Sequence, residues 1–154
     1  MAAAGIQVEV EDASGMPGVP AAPDLVRWAV TALATSLREG ELSIRIVGET
    51  EGATLNEQYR HKHGATNVLS FPAQLPHGVP VDAFGDLVIC APVVVREAAE
   101  QGKPPDAHWA HMVVHGCLHL LGFDHEDEAA AAAMEPLETD ILRRLGYPDP
   151  YAPR

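Results

Sequence analysis

Ile6, Val8 and Val10 alternate with Gln7 and Glu9, the two-residue period of a strand with one buried face. The Gly- and Pro-rich stretch over residues 15–23 predicts a loop. Asp24 is suited to cap a helix, because the apolar positions Leu25, Trp28, Ala29, Ala32, Leu33 and Leu37 recur at helical spacing before Gly40 stops it. Leu42, Ile44 and Ile46 alternate again and predict a second strand. A short helix follows, with Leu55 and Tyr59 on one side and Arg60 at its end. Val68 to Phe71, closed by Pro72, predicts a third strand, and Leu87 to Cys90, entered through Gly85-Asp86, a fourth. Residues 73–83 between them have the composition of a loop.

After Pro92 the pattern turns helical. One helix is expected over about residues 93–101, ending at Gly102 before Pro104-Pro105. A second starts near Asp106, a good N-cap, and runs to about Leu121. A third carries the alanine tract 129–133 to Leu145, with Gly146 as its stop, and Pro136 within it predicts a kink or a restart. No internal repeat is present. The pattern is that of an α/β chain with about four strands, and 154 residues suit one domain over residues 1–154.

Charge narrows the possible partners. Ten Lys and Arg face twenty-two acids, a formal net charge of −12, which argues against the broad basic stripe of a nonspecific nucleic-acid binder. Recognition of nucleic acid by this chain would be local, through a few cations and a metal, or through a protein partner. The two cysteines, Cys90 and Cys117, lie in apolar segments and read as buried thiols of a reducing compartment. The N-terminus lacks a basic n-region followed by a long apolar run, and no stretch has the length of a membrane span, so a cytoplasmic location is expected.

The candidate chemistry lies in His115-Gly-Cys-Leu-His119-Leu-Leu-Gly-Phe-Asp-His125. Residues four apart on a helix share a face, so His115 and His119 can aim their imidazoles at one zinc ion. His111 precedes them by one turn, but it is separated from His119 by about 12 Å of helix axis, too far for bonds of about 2.0–2.1 Å from a straight helix. His125 suits the third position better, because Gly122 can end the helix in a left-handed conformation and turn the chain back. Three histidines leave one tetrahedral position for water, the catalytic arrangement. Zinc peptidases with this extended spacing carry a glutamate base after the first histidine, where this chain has Gly116. A peptidase or amidase is therefore disfavoured.

These residues resemble a known family. The histidine segment, Leu55-Asn-Glu-Gln-Tyr-Arg60, Thr66-Asn-Val-Leu-Ser-Phe-Pro72, Gly85-Asp-Leu-Val-Ile-Cys90 and the closing Leu145-Gly-Tyr147 are similar to the motifs of the YbeY family of bacterial endoribonucleases, in the same order. The resemblance implies a zincin-like α+β fold with a mixed sheet, and one zinc held by the three histidines at the end of a central helix. It also implies single-strand-directed cleavage of ribosomal RNA, notably at the 3′ end of the 16S rRNA, and a part in ribosome quality control. The small ribosomal subunit is then the expected partner. The family's arginine corresponds to Arg60, which could clamp a phosphodiester bidentately. Pro136, the alanine tract and Cys117 depart from the pattern in ways that touch helix geometry rather than the ligands. His111, Asp86 and Asp124 are candidate bases, and Asp124 could instead orient a ligand histidine. A metal-generated hydroxide or the RNA's own 2′-hydroxyl are further routes, and the choice stays open. A non-catalytic, zinc-stabilised ribosome-assembly factor is the remaining alternative.

Overall fold

The architecture is that of a computed structural model, which describes residues 5–61, 63–73, 83–123 and 128–151. Four strands form one sheet in the order β1 (Ile6–Asp12), β2 (Gly40–Val47), β4 (Ala83–Cys90), β3 (Val68–Pro72). The first three run parallel and β3 joins β4 antiparallel, so the sheet is mixed, as the resemblance implies. The alternating apolar residues set the register: Val10 lies opposite Ile44 and Ile44 opposite Leu87, which puts all three on one face.

The described residues include five helices: α1 (Ala22–Leu33), α2 (Glu49–Arg60), α3 (Ala91–Gln101) and α4 (Pro105–Leu120), which lie against the sheet, and α5 (Glu128–Arg144), which packs on α4. The main core joins Trp28 and Leu33 of α1, Ile44 and Ile46 of β2, Leu87 and Ile89 of β4, Val113 and Leu118 of α4, and Met134 and Ile141 of α5. Val47, Leu69, Val88, Cys90 and Val93 make a smaller cluster on the opposite face, with Leu55 of α2 and Phe71 packed against it. β4 contributes to both clusters, which explains why its sequence is a continuous apolar run rather than an alternation.

Three helix ends differ from the pattern in the sequence. α1 begins at Ala22, with Pro23 in its first turn, and Asp24 lies inside that turn rather than capping it. It stops at Leu33, in a short 3-10 turn over Ala34–Ser36. There the Thr35 and Ser36 hydroxyls donate to the carbonyls of Ala32 and Leu33, and Leu37 adopts a left-handed φ of 63° with its side chain in water. α4 likewise starts one residue before Asp106, at Pro105. α5 runs through Pro136 without a restart. The ring removes the amide that Ala132 would have bonded, but buried Met134 and Ile141 hold the helix on both sides of it.

Among the described residues, no helix is long and apolar enough to cross a membrane. Cys90 and Cys117 are both buried and unbridged, as expected, and burial pushes both thiols up from their ordinary pKa.

Candidate metal centre

α4 is buried on almost every side, from His108 through Leu120, and so acts as the central helix of the fold. His111, His115 and His119 occupy successive turns of it. The ring centroids of His115 and His119 lie 4.7 Å apart, while His111 stands 6.0 Å from His115. The helix ends beside this pair in a Schellman turn. Phe123 N–H donates to the Leu118 carbonyl at 3.0 Å, Gly122 N–H donates to His119 at 3.0 Å, and Gly122 has φ 103°. Gly122 ends the helix in the left-handed conformation that its sequence position predicts. His125 and Asp124 lie outside the described residues.

Gly116, between the two histidines, faces the sheet. A Cβ there would come 2.8 Å from Leu87 Cδ2 and 3.1 Å from Val68 Cγ2, inside ordinary van der Waals contact. The Ser70 hydroxyl of β3 donates to the Gly116 carbonyl at 3.1 Å and ties that edge strand to the helix. A glutamate at this position would drive into β3 and β4. The lack of the peptidase base is thus built into the packing of α4 on the sheet.

The sequence reading missed Glu138, which α5 places behind the histidines with none of its side chain exposed. His111 Nε2–H donates to Glu138 Oε2 at 2.7 Å, His115 Nδ1–H donates to the same oxygen at 3.1 Å, and the Tyr151 hydroxyl donates to Oε1 at 2.8 Å. Burial alone would raise the Glu138 pKa, but the bonds from His111 and His115 outweigh it and hold the carboxyl down at about 2. Burial lowers the His111 pKa against the pull of Glu138, so that imidazole stays neutral and gives its one N–H to the carboxylate. Burial and then Glu138 raise the Tyr151 phenol, which therefore stays a donor. A signal for Glu138 was present: with Met134 at i−4 and Ile141 at i+3, it occupies the buried stripe of its helix, where an acid needs partners.

Ligand atoms of His111, His115 and Glu138 lie within 4.8 Å of one another, so the three could hold a metal ion. Their spacing is nevertheless that of hydrogen bonds. Zinc bonds of about 2.0–2.1 Å at tetrahedral angles separate donors by about 3.3 Å, whereas the His111–Glu138 contact is 2.7 Å. With Nδ1–H of His115 bonded to Glu138, the lone pair of that ring belongs to Nε2, the nitrogen a metal uses in a carboxylate–histidine–metal arrangement.

The other expected residues lie elsewhere. Asp86 pairs with Ser43 and Phe71 across the sheet, on the face opposite Leu87 and α4, and is exposed. Arg60 is the exposed last residue of α2, which packs on that same second face. The structure therefore brings His111, His115 and His119 together, and sets Asp86 and the helix carrying Arg60 across the sheet from them. His111 turns toward Glu138 and is only 7% exposed, at the back of the site.

The family model described as Endoribonuclease YbeY matches residues 20–146, most of the chain. The chain belongs to the YbeY family. Curated relatives named Endoribonuclease YbeY are 55% identical in Nitrosococcus oceani, over 95% of this chain and 97% of theirs, and 55% identical in Xanthomonas axonopodis pv. citri, over 96% and 94%. A Thermotoga maritima protein known from its solution structure shares the fold with a TM-score of 0.59 and 21% identity, over 96% of this chain and 99% of its own. Within this YbeY-family fold the donor set fits a metal: two imidazoles stacked a turn apart, one of them braced from behind by a buried carboxylate.

Proposed function

We propose that this YbeY-family chain is a zinc-dependent endoribonuclease that cuts single-stranded RNA in the maturation of ribosomal RNA, at the 3′ end of the 16S rRNA, and in ribosome quality control. His115, His119 and His125 hold one zinc ion in this reading. The observation that carries it is the pairing of His115 and His119 at 4.7 Å, with the Nδ1–H of His115 committed to Glu138. When bound, zinc supplies Lewis acidity toward a phosphoryl oxygen and toward water.

The chain's own groups do the rest. Arg60 holds the phosphodiester through paired N–H donors and offsets the charge that builds as the bond breaks. An RNA strand held by both Arg60 and the histidines of α4 would have to pass from one face of the sheet to the other, and β3 is the terminal strand on the side of α4. His111 is committed to Glu138. Asp86, Asp124, a hydroxide generated at the metal and the RNA's own 2′-hydroxyl are the remaining routes for proton transfer or attack. With a charge of −12, delivery to the small ribosomal subunit through a protein partner, in the cytoplasm, fits better than broad electrostatic attraction to RNA.

The test is cleavage of labelled single-stranded RNA by the wild type and by Arg60→Ala. The variant should keep zinc and near-UV circular dichroism and lose cleavage. Unchanged cleavage would remove Arg60 from the site. Zinc-loaded wild type that binds ribosomal subunits but cuts no RNA would favour an assembly factor without catalysis.

A further inference from the structure

The carboxylate behind the histidines has a more specific part to play than filling the core. We propose that Glu138 is the positioning residue of the metal site: it fixes the ring and tautomer of His115 so that Nε2 faces the ion, and is itself locked by His111 and Tyr151. The inference rests on reading His115 as a metal ligand and deepens it.

Three donors, two from α4 and one from the segment beyond α5, converge on the two oxygens of Glu138. His111 Nε2 at 2.7 Å and His115 Nδ1 at 3.1 Å share Oε2, and the Tyr151 hydroxyl takes Oε1 at 2.8 Å. The edge of the Tyr151 ring also packs against His111, at 5.4 Å between centroids. A side chain with no solvent exposure and both oxygens engaged has no second rotamer open to it. Neutral imidazole carries one N–H, and the nitrogen that keeps it is set by the partner it finds. An acceptor fixed at Nδ1 therefore leaves the lone pair at Nε2. With its Nε2–H given to Glu138 and its Nδ1 buried, His111 acts in this site by holding the carboxylate that holds His115. Tyr151 extends the same chain of contacts to the segment beyond α5, which makes the C-terminal part of the fold a structural support for the metal site.

Such supporting carboxylates change metal affinity by about 10- to 100-fold when removed. The test measures the zinc dissociation constant by competition with a chromophoric chelator for the wild type, Glu138→Gln, Glu138→Ala and His119→Ala. It is paired with long-range nitrogen–proton NMR of the His115 ring in the metal-free wild type. Glu138→Gln keeps an acceptor of the same shape and is expected to weaken zinc about tenfold, with Glu138→Ala weakening it up to about 100-fold. The wild-type spectrum should show the proton on Nδ1. Affinity unchanged in both Glu138 variants overturns the proposal. So does loss of zinc from a folded Glu138→Gln as complete as in His119→Ala, because Glu138 would then be a ligand itself. If Glu138→Ala fails to fold, the wild-type spectrum decides alone: a proton on Nε2 of His115 overturns the proposal. Undiminished zinc affinity in His119→Ala would instead overturn the underlying assignment of the ligands, and Glu138 as its support with it.

Discussion

Replacing Gly116 by alanine sets two known effects against each other. In a helix interior the change is worth about 1 kcal/mol in favour of alanine, because glycine loses more backbone freedom on folding. Here the new methyl would lie 2.8 Å from Leu87 Cδ2 and 3.1 Å from Val68 Cγ2. Carbon atoms pack best at about 3.5–4.0 Å, so the shortfall is roughly 0.7 Å at Leu87 and 0.4 Å at Val68. Leu87 is fully buried and Val68 is 8% exposed, so neither can simply swing into water. Overpacking of this kind costs about 1–3 kcal/mol. Against the helix gain, the expected net effect is a loss of about 1 kcal/mol, or a fall in Tm of about 2–4 °C for a chain of this length. Differential scanning calorimetry of the wild type and Gly116→Ala reads it directly. The double variant with Leu87→Val should recover part of the loss, since it trims the side chain nearest the added methyl. A Tm that rises by a few degrees, as at an open helix position, would refute the claim that α4 is pressed on the sheet between its two histidines.

Gly85→Ala should be more damaging. Its Cβ would collide with the Phe71 carbonyl oxygen at a φ of 136°, and backbone cannot move aside as a side chain can. A loss of at least about 3 kcal/mol is expected in urea unfolding, and a near-neutral result would contradict the observed strand register. The Glu138 carboxyl, held at about 2 against 4.5 in the unfolded chain, contributes stability that is complete above pH 4.5 and disappears as the pH falls through about 2. The wild type should therefore lose on the order of 3 kcal/mol more than Glu138→Gln between those limits; a pH-independent difference between the two in urea titrations would count against the ionised carboxylate. His119→Ala should lose stoichiometric zinc by elemental analysis, and full retention would remove His119 from the ligand set.

Local pattern carried most of the architecture. All four strands were legible: Val8, Val10, Leu42, Ile44 and Ile46 alternate, Val68–Phe71 is a short run closed by Pro72, and Leu87–Cys90 is apolar on both faces. Gly102, Gly122 and Gly146 each sit in a Schellman turn, where a left-handed residue is needed and only glycine takes it at no cost. The end of α1 was not legible, because Leu37 continues the helical spacing while the Thr35 and Ser36 hydroxyls compete for the last carbonyls. At Pro136 the helix does not restart, because packing of Met134 and Ile141 outweighs one lost hydrogen bond. At the site, the convergence of His115 and His119 follows from their spacing along one helix. Glu138 and Tyr151 could not be placed, since Glu138 meets His115 across 23 residues only after α5 folds back, and Tyr151 reaches the site through Glu138 and His111. The separation of Asp86 and Arg60 from α4 is likewise a property of the sheet order, which no local pattern records.

The measurement closest to the central claim is cleavage of a labelled single-stranded RNA by purified protein before chelation, after removal of the metal, and after zinc is restored. Cleavage that disappears with the metal and returns with zinc, while the metal-free protein keeps its fold, is the expected result. Cleavage undiminished in metal-free protein, or absent from protein carrying a full complement of zinc, would contradict it.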